Sequence, residues 1–243
     1  MASAASLADF AEQMNPHTLA EAREAEFRQA SRFHTSLLAG IEKRLLVWMA
    51  ERLPAWVQPD HLTLIGFVAQ LATGAFYALS RGDRRFLLVA IASLALNWFG
   101  DSLDGTLARV RQQQRPRYGF YVDHIIDSIG TTAMMGGLAL SGYMHPAIAI
   151  GLLVAFLLLS IQSYLATYTL GEFHLSFWSF GPTELRLLLI IGNLALFRWP
   201  FVFHGHYRLF DIGGAIGLVG MILMLLVFSL KNTVRLYREE KIR

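Results

Sequence analysis

Residues 86–127 read FLLVAIASLALNWFGDSLDGTLARVRQQQRPRYGFYVDHIID. A nearly unbroken apolar run ends on Asp101 and Asp104. An Arg- and Gln-rich connection follows, and a second apolar run carries Asp123 and Asp127 near its start. About 20 apolar residues are needed for a helix to cross the roughly 30 Å hydrocarbon layer, and both runs have that length. An aspartate at the centre of a membrane helix costs about 2.5–3.5 kcal/mol even on the lenient insertion scale, so four of them near the ends of two consecutive hydrophobic helices need a reason. Asp101 and Asp104 are spaced i, i+3, and Asp123 and Asp127 i, i+4, so each pair shares one helix face. The short connection predicts that the two helices are neighbours and that the acidic faces meet.

The rest of the chain extends this pattern. Candidate spans fall at 62–80, 86–107, 121–141, 146–170, 185–203 and 210–230. They predict an all-α integral membrane protein with six transmembrane helices and no internal repeat. Of the 243 residues 54% are hydrophobic and 16% charged, against about 45–50% and 25% in soluble domains; a disordered chain is excluded. Residues 36–53 repeat apolar positions every three to four residues, with Lys43, Arg44 and Arg52 between them. This predicts an amphipathic helix lying in the membrane interface. Residues 1–30 hold acids and no apolar core, unlike a secretory signal peptide. The expected division is an N-terminal cytoplasmic and interfacial segment 1–58, a six-helix membrane domain 59–232 and a basic tail 233–243. With no cysteine, disulfides, thiolate metal sites and thiol nucleophiles are excluded. A net charge of +3 gives no reason to expect a nucleic-acid partner.

Lys and Arg near the membrane set the orientation. Lys43, Arg44, Arg52, Arg109, Arg111, Arg115, Arg117 and five basic residues from Lys231 to Arg243 fall on one side. Arg81, Arg84, Arg85, Arg198 and Arg208 fall on the other. Both termini and all four aspartates are therefore expected on the cytoplasmic side of the inner membrane, although the three arginines at 81–85 run against the rule.

Four carboxylates in one cleft stay ionised together only if cations compensate them. Arg109 supplies one charge. Clustered carboxylates are hard oxygen ligands, favouring Mg²⁺, Mn²⁺ or Ca²⁺ over zinc, and a two-metal site on four carboxylates suits phosphate oxygens. Two alternatives are that each acid faces a water-filled vestibule or pairs with a loop arginine.

Residues 101–127 resemble the signature of the CDP-alcohol phosphotransferase superfamily, Asp-x-x-Asp-Gly-x-x-Ala-Arg followed by Gly-x-x-x-Asp-x-x-x-Asp. Asp101, Asp104, Gly105, Ala108, Arg109, Gly119, Asp123 and Asp127 occupy every fixed position. The resemblance implies transfer of a phosphate-bearing group from a CDP-linked donor to a lipid or alcohol acceptor, with release of CMP, in phospholipid biosynthesis. It implies two Mg²⁺ or Mn²⁺ ions on Asp101, Asp104, Asp123 and Asp127, with Asp127 as base. Gly105, Ala108 and Gly119 would let the cytidine and pyrophosphate approach the backbone, and Arg109 would neutralise phosphate. Helix packing is the competing role for the small residues, and an ordinary positive-inside arginine for Arg109.

Two further features resemble the choline and ethanolamine phosphotransferase branch: His124 directly after the third aspartate, and Thr183-Glu184 ahead of a Leu/Ile run. In that branch the Glu is thought to pair with the His near the acceptor hydroxyl. The resemblance therefore adds His124 and Glu184 to the catalytic candidates and favours a CDP-choline or CDP-ethanolamine donor with diacylglycerol as acceptor. The alternative is a CDP-diacylglycerol donor with a polar head-group alcohol. His124 could equally be a polar helix-end residue, and Glu184 a helix-start acid or a partner of Arg186. Pro59-Asp60-His61-Leu62-Thr63 resembles the family's Pro-Asn-x-x-Thr, with Asp60 in place of Asn. Asp211 is expected to be a helix-start residue. His204 and His206 read as loop histidines. Gly213, Gly217 and Gly220 share a face expected to pack closely against a helix, which could include a homodimer contact. A cation transporter would spread its acids through the membrane's depth, often in repeated halves, and an inactive scaffold would lack signature aspartates; neither pattern is present.

Overall fold

The computed structural model describes residues 31–33, 39–174, 182–203 and 205–240. The expectations for residues 1–30, His204 and the last three residues lie outside that set. Seven helices occupy most of the described chain: α1 Ala39–Arg52, α2 Pro59–Leu79, α3 Phe86–Val110, α4 Pro116–Ser141, α5 Pro146–Leu170, α6 Pro182–Arg198 and α7 Leu209–Glu239. Short strands pair at two places, β1 (Ser31–Phe33) in parallel with β2 (Glu172–His174) and β3 (Phe201–Val202) antiparallel to β4 (Tyr207–Arg208).

Proline and glycine set many of the boundaries. α2, α4, α5 and α6 each begin on a proline, whose missing N–H is an orphan at a helix start in any case. α4 and α5 stop at Gly142 and Gly171, which take the left-handed conformation with φ of +82° and +67° that favours glycine. At the start of α2, the Gln58 N–H donates to Nδ1 of His61 at 3.1 Å. Asp211, in the first turn of α7, accepts the N–H of His145 at 2.5 Å and so joins the starts of α5 and α7.

Four helices, α2, α3, α5 and α7, are long and apolar enough to cross a membrane. The six expected spans all fall on helices, but α4 and α6 do not reach that standard by themselves. α6 has 17 residues, about 25 Å at 1.5 Å per residue. α4 carries Arg117, Asp123 and Asp127 in its first half. α1 fits the expected position of the N-terminal helix. Its Leu46 and Ala50 are buried while Ile41, Leu45 and Trp48 are exposed.

α2 is the central helix, with α3 and α4 packed on either side of it; α5 covers α4, α7 covers α5, and α1 and α6 lie on α3. α3 and α4 each pack mainly on α2, so their acidic faces meet across a gap lined by α2 rather than by direct packing of the two helices. The reason lies in glycine. A Cβ on Gly100 of α3 would sit 2.5 Å from the Gly66 nitrogen and the Leu62 oxygen of α2. A Cβ on Gly74 of α2 would sit 2.3 Å from the Ala133 oxygen of α4, and one on Gly137 would meet the Gly74 oxygen more closely still. Backbone lies on backbone at both crossings, as small residues allow between membrane helices. Gly66 and Gly74 are eight residues apart, about 80° around the helix at 100° per residue, so each faces a different neighbour. Gly213 and Gly220, expected to pack, have open space around them, and Gly217 meets only Leu152 at 3.6 Å. Gly214 makes the close contact instead, against Met144, Ile148 and Leu152.

One apolar cluster, around Tyr77, Leu87, Leu94, Leu138 and Leu196, fills the end of the bundle where α2 meets α3. A second, of Leu46, Ala50, Val57, Leu62, Leu103 and Leu107, fills the end where α3 finishes and α4 begins. The buried polar residues Gln70, Asn97 and Thr131 lie between.

Candidate active site

Asp101 and Asp104 lie in the last three turns of α3, Asp123 and Asp127 in the first half of α4. One carboxylate oxygen each from Asp101, Asp123 and Asp127 falls within 4.8 Å of the others. Asp104 is directed elsewhere: its Oδ2 accepts from Thr63 Oγ1 of α2 at 2.5 Å, and its Oδ1 accepts from the Gly105 N–H. It still lines the same cleft, together with Thr63, Gly66, Gln70, Asn97, Asp101 and Asp127. Of the four expected metal ligands, then, three converge and the fourth is held beside them by a threonine. Thr63 belongs to the Pro-Asp-His-Leu-Thr stretch, which was legible as a motif but gave no role to that hydroxyl. Asp60, at the position of the family's Asn, pairs with Arg115 at the exposed edge.

Three carboxylates this close repel unless cations offset them. Among the described residues, one guanidinium is bonded directly to this group. Arg186 of α6 donates from Nη2 to Asp101 Oδ2 at 2.6 Å and from Nε to Asn97 Oδ1 at 2.8 Å. Asn97 in turn donates to the Gly66 carbonyl at 2.9 Å. A planar guanidinium suits such two-directional bonding. The sequence offers Arg186 as a partner for Glu184 and not for Asp101, since a separation of 85 residues carries no local signal. The expected alternative of a loop arginine therefore holds for Asp101 in altered form, through a helix. A single guanidinium does not balance three carboxylates, and the remaining oxygen donors are the hard ligands that suit Mg²⁺ or Mn²⁺. The residues present fit a divalent ion.

Arg109 lies in the last turn of α3 and donates to Thr106 Oγ1 at 3.0 Å. A Cβ on Gly119 would meet nothing within 4 Å, and one on Gly105 only the Arg109 guanidinium at 3.5 Å. Neither glycine makes a close helix contact. Ala108 is likewise not fully exposed.

The His124 ring stacks at a tilt on Phe120, 4.2 Å between centroids, and meets the edge of Tyr164 from α5 at 5.0 Å. Its Nδ1 is 2.6 Å from the Phe120 carbonyl. A carbonyl only accepts, so Nδ1 carries the proton and, in the neutral ring, Nε2 holds the lone pair. Glu184 is buried in the first turn of α6, two residues before Arg186 and at the same end of the bundle as the acids.

Comparison with known proteins agrees with this geometry. The family model for CDP-alcohol phosphatidyltransferases matches residues 56–230. A CDP-diacylglycerol–serine O-phosphatidyltransferase of Encephalitozoon cuniculi is 34% identical over 124 residues, 49% of this chain and 32% of that protein. An archaetidylinositol phosphate synthase of Pyrococcus horikoshii is 32% identical over 114 residues, 46% of this chain and 53% of that protein. The inner membrane protein YnjF of Escherichia coli is 31% identical over 151 residues, 57% of this chain and 70% of that protein. The chain thus spans about a third to a half of the length of the first two relatives. Since the family match covers the cleft and most of the helices that build it, the chain belongs to the CDP-alcohol phosphatidyltransferase family.

Proposed function

We propose that this chain is a membrane phosphatidyltransferase that moves a phosphatidyl group from a CDP-diacylglycerol-type donor to the hydroxyl of a polar head-group alcohol and releases CMP. The convergence of Asp101, Asp123 and Asp127 beneath the family signature is the observation that carries this reading. The likeness to two relatives, a CDP-diacylglycerol–serine O-phosphatidyltransferase and an archaetidylinositol phosphate synthase, favours this donor over the CDP-choline or CDP-ethanolamine donor that His124 and Thr183-Glu184 suggest; the aminoalcohol donor is the second reading.

In the reaction the acceptor oxygen forms a bond to the phosphorus that bears the diacylglycerol. The bond from that phosphorus to the bridging oxygen breaks, CMP leaves with its electron pair, and the hydroxyl proton passes to a base. Such a transfer depends mainly on positioning and charge neutralisation. Asp101, Asp123 and Asp127 would hold divalent Mg²⁺ or Mn²⁺, two ions in the full site, with Asp104 completing the set. When bound, the ions neutralise charge on the pyrophosphate and its leaving group. Arg109 offers its guanidinium to phosphate oxygens at the mouth. Arg186 restrains Asp101 so that its second oxygen keeps a fixed direction. Gly105 and Gly119 leave backbone open to the nucleotide. Asp127 and the Nε2 of His124 are the candidate bases, the Phe120 carbonyl holding the ring through Nδ1–H, and Glu184 is a third candidate at the same end of the bundle.

In the membrane we place six spans, with α4 and α6 shielded by their neighbours, the acid cluster at the cytoplasmic face of the inner membrane, and a homodimer contact on the open Gly213–Gly220 face of α7. The deciding experiment is a matrix of CDP-diacylglycerol, CDP-choline and CDP-ethanolamine against diacylglycerol and a panel of polar alcohols, with CMP measured. CMP release with CDP-diacylglycerol and a polar alcohol is expected; turnover only with the aminoalcohol donors would establish the second reading.

A further inference from the structure

α1 precedes the segment matched by the family, which begins at residue 56, yet it is tied to the site at both ends. At its C-terminal end the Arg111 guanidinium, at the C-cap of α3, gathers the carbonyls of the α1–α2 connection: Leu53 at 3.0 Å, Pro54 at 2.9 Å, and Val57. At its N-terminal end Glu42 Oε1 accepts two bonds, from Trp98 Nε1 of α3 at 2.9 Å and from Thr183 Oγ1 of α6 at 2.6 Å. Thr183 sits in the first turn of α6, immediately before Glu184 and three residues before Arg186. Hydrogen bonds to a carboxylate are among the stronger ones, and the first turn of a helix leaves N–H groups without intrahelical partners.

We propose that Glu42 is a positioning residue for the transferase site: by holding Thr183 it fixes the first turn of α6, and with it Arg186 on Asp101 and Glu184 beside the cleft. The inference rests on the transferase reading for its kinetic part only. Both bonds end on one oxygen, so Glu42→Gln retains the acceptor and Glu42→Ala removes it.

The kinetic test measures CMP release from CDP-diacylglycerol. E42A and T183V should each lower kcat/KM about tenfold, the double variant should be no worse than either, and E42Q and T183S should stay within about twofold of the parent. Additive losses in the double variant, or full activity in E42A, would overturn the proposal. A second readout needs no turnover. The chain has no cysteine, so Lys43→Cys and Leu188→Cys can carry spin labels on exposed positions of α1 and α6. E42A should broaden and lengthen the inter-label distance while E42Q leaves it unchanged; an unchanged distance in E42A defeats the latch. If the parent releases no CMP, the transferase reading fails, and the distances still decide whether Glu42 holds α6.

Discussion

Replacing Gly100 by alanine is the severest small change available near the site. The new methyl would sit 2.5 Å from both the Gly66 nitrogen and the Leu62 oxygen and 2.7 Å from the Gly66 Cα. Ordinary contact needs 3.4–4 Å, and all three atoms belong to backbone, so no side-chain rotation relieves the clash. α2 and α3 must move apart by about 1 Å, at an overpacking cost of about 1–3 kcal/mol. The same movement acts on the chemistry. Asp101 is the next residue, and Thr63, one turn before Gly66, holds Asp104 at 2.5 Å. A displacement of about 1 Å breaks that bond, spreads the carboxylates, and can lower a rate about a hundredfold. We therefore expect G100A to remain helical by circular dichroism, to melt several degrees lower in detergent, and to lose about two orders of magnitude in CMP release. G136A, where a Cβ meets nothing within 4 Å, is the matched control and should change neither quantity. Full activity and unchanged melting in G100A would refute the backbone crossing and the site geometry built on it.

Four other outcomes follow from the same contacts. Thr63→Val keeps the shape but removes the donor to Asp104; CMP release should fall about tenfold with little change in melting, given about 1.5–3 kcal/mol for a hydrogen bond to a charged group. Asp101→Asn and Asp123→Asn should each abolish CMP release and the stabilisation that Mn²⁺ gives in a thermal-shift assay; full rates in both would make the acids structural. Chelation by EDTA should stop CMP release and added Mg²⁺ or Mn²⁺ should restore it, with activity persisting after exhaustive chelation as the opposing result. Asn193 donates to the Tyr77 hydroxyl at 2.7 Å while its own buried Oδ1 has no hydrogen-bond partner among the described residues. Asn193→Leu should cost about 1–3 kcal/mol by stranding the tyrosine, and adding Tyr77→Phe should recover most of it, as read by melting in detergent.

What the chain discloses before folding is local. Asp101, Asp104, Asp123 and Asp127 stand out because ionised residues are costly at the ends of apolar runs, and their spacing fixes which face of each helix they share. All six apolar runs fall on helices, since a repeat near 3.6 residues and length suffice to read them. Their ends are less legible. α6 stops at Arg198 and α7 runs on to Glu239, where packing and the β3–β4 hairpin, not hydropathy, decide. The relations between distant residues were hidden. Arg186 with Asp101, Thr63 with Asp104 and Glu42 with Thr183 depend on which helices pack together, and a single sequence does not state that. The acidic faces of α3 and α4 meet as their short connection suggests, but each helix seats mainly on α2, which the connection does not state. Glycines gave a partial signal. Gly66, Gly74, Gly100 and Gly137 sit inside apolar helices, where glycine costs helix stability and so marks close approach, whereas Gly213, Gly217 and Gly220 showed the more regular pattern and have no such contact within the chain.

The seating of α2 against its two neighbours through main-chain atoms has a bearing on sequence drift. Exposed aliphatic side chains on the outer faces of the helices, among them Ile216, Val219 and Leu223 of α7, can exchange for one another without altering the distance between the acids, because no rotamer takes part in setting it. A protein built in this way can adapt its outer coat to bilayers of different composition while the arrangement of the acids inside is inherited unchanged.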